Sequence, residues 1–329
     1  MNTSRIQAAA VCAALAFASQ ARAAGLPLPK DGWASWQVEA VEDSPAFCCW
    51  SSWDNGVATD QVCKLDAEHQ GYGSRDKNKT DAVRVYARFA GGKVEQVRAL
   101  AAACPVESKT PIQKLDNIAM DDSARWLLSL AKAARDDLDE ETLTALAMHR
   151  GSVAFDGLSA MARGDAQEET RKRAIFWLAI LRGTAGADIT ATAMFNDKSP
   201  EVRKHSAFAI TQSKSPRMTA DLIKLGNTDA DGDVRAQAWF WLAHTGAANA
   251  EEPIIAALKK DQDDNVREQA IFALSQLPNG RATPALIKAA EDKSLSREQR
   301  KRALFWLAQS ESTGAQTYLD KVLAGNTAR

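Results

Sequence analysis

The sequence predicts a mainly α protein: a solenoid of about six helical hairpins over 116–329, preceded by a small, disulfide-bonded, mostly β domain over 24–115. Three observations lead there. A helical segment carrying aromatic residues recurs five times at a nearly fixed interval. Two stretches ahead of it, "WASWQVEAV" and "AVRVYARFA", alternate in the two-residue period of strands. Once an N-terminal leader is set aside, every cysteine falls in the first third of the chain.

The leader is expected over 1–23. It reads MNTSR, then IQAAAVCAALAFA, then SQARA: a positive start, a short apolar stretch and a small-x-small site at Ala21-Arg22-Ala23. This is the pattern of a cleavable secretory signal peptide, so the expected location is periplasmic or secreted. The apolar stretch is shorter than the roughly 20 residues a spanning helix needs, and no membrane span is expected later. With Arg5 and Arg22 removed, 39 basic residues face 42 acidic ones, a net charge of −3. That balance disfavours nucleic acid as a partner.

In the next segment, "FAGGKV" reads as a hairpin turn after the strand "AVRVYARFA". The four cysteines left in an exported chain, Cys48, Cys49, Cys63 and Cys104, point to disulfides. A bond between the adjacent Cys48 and Cys49 would be strained. Two pairings remain: Cys48–Cys63 with Cys49–Cys104, or Cys49–Cys63 with Cys48–Cys104. Neighbours on a strand face opposite ways, so adjacent cysteines bonding in two directions is reasonable. The aromatic residues Trp33, Trp36, Trp50, Trp53 and Tyr86 are either core or a surface for stacking on sugar rings.

The repeat is measured on one small residue in each copy: Ala174, Ser206, Ala238, Ala270 and Ala303, spaced 32, 32, 32 and 33 residues apart. A period in this range marks a solenoid whose units cannot bury their apolar faces alone. Between copies lies a second amphipathic helix, such as "MTADLIKLG" or "TPALIKAAE", which makes each unit a helical hairpin. A fainter copy upstream places Ala145 29 residues before Ala174. The junctions "NDKSPEV", "TDADGDV" and "DQDDNV" put acids just ahead of the second helix, where they cap its free amides. The run Asp229 to Asp233 lacks the glutamate of a calcium loop, since the twelfth position is Phe240.

The pattern Asp-x-Val-Arg-x-x-Ala-x-x-Ala-Leu, seen in "DVRAQAWFWL" and "NVREQAIFAL", resembles the HEAT repeat, and especially the short form of phycobilisome-lyase-type proteins. The resemblance covers about 121–325 and implies an armadillo-like, right-handed α-α superhelix of the kind found in exported bacterial proteins. It also implies that the arginine of each copy, Arg171, Arg203, Arg235, Arg267 and Arg300, bonds to acids of a neighbouring turn. The family includes phycobilin lyases and DNA glycosylases, activities that export and an acidic balance argue against.

On a helical wheel, Val202, Ser206, Ala209 and Ile210 form the seam to the first helix, and Phe208 falls away from it. The same position holds Phe176, Phe208, Phe240, Phe272 and Phe305. Either these rings wedge between turns as core, or they line the concave face where partners bind. Beside them one slot reads Arg173, His205, Gln237, Gln269 and Arg302, and another Ile180, Gln212, His244, Gln276 and Gln309. A phenylalanine strip edged by amides and cations suits a peptide, since rings supply burial and amides bond the backbone. Trp177, Trp241 and Trp306 share a slot with Ala209 and Ala273 and are expected to point into the core.

His69, His149, His205 and His244 show no shared metal spacing and are expected at the surface. No catalytic constellation and no cofactor or metal motif is legible. The expected function is a non-enzymatic exported adaptor that holds a protein or peptide partner of the envelope on its concave face. The alternative is a glycan-binding module using the Trp-rich domain.

Overall fold

A computed structural model describes residues 25–54, 57–60, 62–67, 72–133, 137–165, 167–278 and 280–325. The leader expected over 1–23, His69 and the side chains of Trp50 and Trp53 lie outside the described residues. The strands are β1 (Gly32–Glu39), β2 (Pro45–Asp54), β3 (Val57–Asp60), β4 (Cys63–Lys64), β5 (Tyr72–Lys79), β6 (Ala82–Ala90), β7 (Lys93–Ala101), β8 (Val106–Glu107) and β9 (Ile112–Lys114). They form a sheet ordered β7-β6-β1-β9, a smaller one ordered β3-β2-β5, and the pair β4-β8. β1 and β6 are the two alternating stretches read from the sequence, paired antiparallel. Gly91 and Gly92 join β6 to β7, and both have positive φ, which is the conformation a two-residue hairpin demands.

Of the two disulfide pairings the sequence left open, the structure has Cys49–Cys63 and Cys48–Cys104. Both tether β2.

The helices are α1 (Met120–Ala133), α2 (Asp137–Met148), α3 (Ser152–Ala160), α4 (Glu168–Leu181), α5 (Gly183–Asn196), α6 (Pro200–Thr211), α7 (Met218–Thr228), α8 (Gly232–His244), α9 (Glu251–Lys260), α10 (Asp264–Ser275), α11 (Ala282–Glu291), α12 (Arg297–Ala308) and α13 (Thr313–Leu323). The five copies found by repeat are α4, α6, α8, α10 and α12, and the fainter one is α2. These even-numbered helices pack directly on one another, whereas the odd-numbered ones meet only sparingly beyond α3. Closer spacing on one side curves the stack, which puts the even-numbered helices on its inner surface.

The helix starts behave as the acids at the junctions predicted. Asp231 accepts from the Val234 amide at 3.1 Å and Asp263 from the Asn265 amide at 2.9 Å. Ser296 and Gln299 form a capping box on α12. The preceding acids hold neighbouring units together. Arg171 grips Asp197, Arg203 grips Asp229 and Arg235 grips Asp261, each through two bonds of 2.8 to 3.1 Å. Arg203 also donates to the carbonyl of Asp197, and Arg235 to that of Asp229, both at 2.9 Å, so each arginine spans two junctions. Burial pushes the Asp229 carboxyl up, but the hydrogen bonds from Arg203 and the Asp231 amide outweigh it and hold it below the usual carboxylate range.

The last two arginines depart from that pattern. Arg267 keeps the bond to the preceding junction, donating to the Asp261 carbonyl, but otherwise pairs within its own helix, with Asp264, and Arg300 donates to the Leu295 carbonyl. For Arg267 the cause is local: Lys293 stands 26 residues on, where the earlier copies have their acid, and Lys259 takes the adjacent Asp292 at 2.6 Å.

The β region and the first hairpins share one core. Trp36 of β1 meets Trp126 of α1 edge-on, ring centres 5.3 Å apart, and both are buried with Val83, Val85, Leu127, Leu146 and Leu158. β7 lies against α2, where Glu141 accepts from the Val97 amide at 3.2 Å and pairs with Arg98 at 3.4 Å. A polar chain crosses the same junction. The Trp36 indole donates to Ser123 Oγ at 2.7 Å, the Ser123 hydroxyl donates to His149 Nε2 at 2.8 Å, and His149 Nδ1 donates to the Ala145 carbonyl at 2.6 Å. Nδ1 faces a carbonyl and so carries the ring proton, and a ring kept neutral leaves Nε2 to accept from the Ser123 hydroxyl. His149 is fully buried, contrary to the surface position expected of it, and burial pulls its pKa down to about 4.

Candidate functional site

The repeat register brings the five phenylalanines onto one inner stripe. Phe176 and Phe208 stack with ring centres 6.0 Å apart at 16°, and Phe240 and Phe272 stack at 5.8 Å and 15°. The two alternatives for this ladder resolve into neither extreme. Phe176, Phe208, Phe240 and Phe272 are half-buried, and Phe305, at the end of the stripe, is 46% exposed.

The tryptophans require a correction. Trp177, Trp241 and Trp306 are half-buried members of the same stripe, not core. Ala209 and Ala273, which share their slot, are sealed. An indole cannot fit where an alanine is already closed in, so its ring swings out over the phenylalanine of the preceding copy. Trp241 sits 4.8 Å from Phe208, and Trp306 sits 4.9 Å from Phe272. The copy before Trp177 has Ala147 at the phenylalanine position, and the missing ring comes from elsewhere: Phe47 of β2 meets Trp177 edge-on at 6.2 Å. Among the tryptophans of the five repeated helices, Trp239 is the wholly buried one, packed against Gly226.

The band thus runs from Phe47 through two stacked phenylalanine pairs, each covered by a tryptophan, to Phe305. Its upstream end is closed, because β7 covers α2 and the β1–β2 loop reaches across to the turn after α6, where Asp43 pairs with Lys214 at 2.6 Å; Asp43 also pairs with Lys79 of β5. These two lysines hold the Asp43 carboxyl down to about 2. From α6 onward the described residues leave the inner face uncovered.

The polar edge falls beside the rings as the wheel predicted. Gln237 and Gln269 line a cavity of about 380 Å³ with Phe240, Phe272, Lys204, Asp233 and Asn265. His205 lies between the Phe176 and Phe208 rings at 6.4 and 6.0 Å, and its Nε2 is buried without a hydrogen-bond partner among the described residues. Burial and the nearby Lys172 charge lower its pKa, so it enters the band as a neutral, hydrogen-bonding ring. Arg302 lies 5.9 Å from the centre of Phe305 and 3.5 Å from Glu268. Arg173 pairs with Glu140 at 3.9 Å. His244 is exposed, its ring 4.2 Å from that of Phe240. Sequence reasoning missed the three outward tryptophans and Phe47, the last because only the fold brings β2 to α4.

In the N-terminal region, Trp33 and Trp36 are sealed in the core and Tyr86 is buried with Cys49 and Cys63. The Trp33 indole donates to Asp66 at 2.9 Å, and the Ser108 hydroxyl and Lys109 amide donate to the same carboxylate, so this aromatic cluster organises the disulfide-bonded loops. No helix among the described residues is long and apolar enough to cross a membrane.

Comparison with known proteins agrees with this architecture. HEAT repeats match over residues 155–243, 220–304 and 251–327, together more than half of the chain. No curated protein matches. The solved structure of human deoxyhypusine hydroxylase in complex with glycerol is similar, at 13% identity over 61% of this chain and 89% of that one, with a TM-score of 0.29. With hairpins stacked on a 32-residue register and a family match spanning 155–327, the chain belongs to the HEAT-repeat family.

Proposed function

We propose that this protein is an exported, non-enzymatic adaptor that binds a polypeptide on the inner face of its solenoid, downstream of α6. The observation that carries this reading is the aromatic band. Four phenylalanines and three tryptophans stay half-buried in a chain that seals Trp239, Ile210 and Leu274 completely. Rings left partly open along a curved surface offer burial to a partner at little entropic cost, because their neighbours already fix them. Gln237, Gln269 and Asn265 around the central cavity supply donors and acceptors for a peptide backbone. The disulfides support export, since such bonds persist in oxidising compartments.

The glycan reading of the Trp-rich region is the weaker one, because Trp33 and Trp36 are sealed where no sugar ring reaches them. The test replaces Phe208 and Phe272 together by serine in the full chain, with folding checked by circular dichroism. Partners captured from an envelope extract by the parent should be lost. An unchanged set of partners would end the proposal.

A further inference from the structure

The two disulfides are packed against each other. Cys63 Sγ lies 3.4 Å from Cys104 Sγ, and the sulfurs of Cys48, Cys63 and Cys104 all fall within 4.8 Å of one another. Accessibility divides the cluster: Cys49 and Cys63 are buried, while Cys48 and Cys104 are half-buried. A reductant in solution therefore meets the Cys48–Cys104 bond first. Cys63 also anchors the segment that follows β7, since its amide donates to the Pro105 carbonyl at 2.8 Å and β4 pairs with β8. Cys63 and Cys104 are thereby held together by backbone, independently of either disulfide.

We infer that the four cysteines form one redox unit, in which reduction enters at Cys48–Cys104 and is passed to Cys49–Cys63, leaving Cys63–Cys104 as the crosslink of the half-reduced chain. A thiolate of an external dithiol attacks Cys48 Sγ. The Cys48–Cys104 bond breaks and Cys104 leaves with the electron pair as a thiolate. The second thiol of the reagent closes on the first, releases Cys48 as a thiol and departs as a cyclic disulfide. Cys104, already in contact with Cys63, attacks it. The Cys63–Cys104 bond forms, the Cys49–Cys63 bond breaks, and Cys49 leaves as a thiolate that takes a proton from water. Two electrons enter, one disulfide remains, and Cys48 and Cys49 end as thiols.

The consequence falls on β2. Both native crosslinks tether this strand, and the rearranged one does not touch it. Phe47, next to Cys48, is the ring that closes the upstream end of the aromatic band against Trp177. Reduction by two electrons thus frees the strand that carries this ring, while β4 stays tied to the loop after β7.

The test treats the full chain with one equivalent of dithiothreitol, quenches with acid, alkylates with N-ethylmaleimide and maps the cysteines by proteolysis and mass spectrometry. The expected half-reduced species carries label on Cys48 and Cys49 and a Cys63–Cys104 disulfide, and its β2 amides exchange with deuterium at least tenfold faster than in the oxidised chain. Label on Cys48 and Cys104 with Cys49–Cys63 intact overturns the inference, as does a mixture of only oxidised and four-thiol chains. Unchanged β2 exchange in the rearranged species overturns the release of the strand. As a second variant, Cys48→Ser with Cys49→Ser should form Cys63–Cys104 in oxidised glutathione; two free thiols in a chain that keeps its helical signal would refute the geometry. No partner enters these measurements, so their outcome is separate from that of the adaptor proposal.

Discussion

Replacing Arg203 by alanine removes three hydrogen bonds across two junctions of the solenoid: two to the carboxylate of Asp229, at 2.8 and 2.9 Å, and one to the carbonyl of Asp197 at 2.9 Å. The Asp229 side chain is only 5% exposed, so water cannot take the place of the guanidinium. Breaking one side of a buried ion pair costs about 3–5 kcal/mol. Asp229 keeps the Asp231 amide at 2.9 Å, and the Arg235 charge also stabilises its ionised form, which places the expected loss near the lower end, about 3 kcal/mol. Arg203→Lys retains a charge but not the two-pronged contact, and should lose about half as much. Urea unfolding of the full chain, followed by far-ultraviolet circular dichroism, measures both. Because repeat arrays sum nearest-neighbour interfaces, weakening α6 against α8 should also split the transition, with α8 to α13 melting first. A loss below about 1 kcal/mol for Arg203→Ala would refute the view that this ladder couples the repeats.

Three further outcomes follow from packing and protonation. At Gly226 a Cβ would come within 2.5 Å of the sealed Trp239 ring, so Gly226→Ala should cost about 1–3 kcal/mol in the same urea assay, partly relieved by Trp239→Phe. Trp239→Ala should cost about 4 kcal/mol and Trp241→Ala about half of that, because only the first ring is fully buried; equal losses would return Trp241 to the core. His149 titrates near 4 when folded and near 6.5 when unfolded, so its neutral form contributes stability above about 6.5 that is lost as the pH falls towards 4, about 3 kcal/mol in all. His149→Gln should flatten stability over that window, whereas the depressed carboxylates, such as Asp43, act only at lower pH.

The repeat was legible because each unit must bury the same face against the next, so a 32-residue period in small and aromatic residues is a direct imprint of stacking. The strand alternation and the outward stripe of phenylalanines were legible for the same reason: both are local periodicities. What escaped was set by size or by distance along the chain. A wheel assigns Trp241 and Ala209 one slot, but the indole extends past the seam that closes on the alanine, and its ring ends on Phe208. His149 follows directly on the last turn of α2, and nothing nearby reveals that Trp36, more than a hundred residues earlier, reaches it through Ser123. The choice between the two disulfide pairings likewise rested on the path of β2, which no spacing encodes. Arg267 broke the ladder because Lys293 holds the place where the earlier copies have an aspartate.

On the adaptor proposal the partner meets the inner face of the solenoid and not the outer one. Photocrosslinking tests this, with benzoylphenylalanine placed singly at Gln237, at Gln269, and at the exposed Thr192 on the outer helix α5 of the full chain. One polypeptide should crosslink from Gln237 and Gln269 and none from Thr192. Crosslinks from Thr192 alone, or equal yields from all three positions, would contradict the proposal.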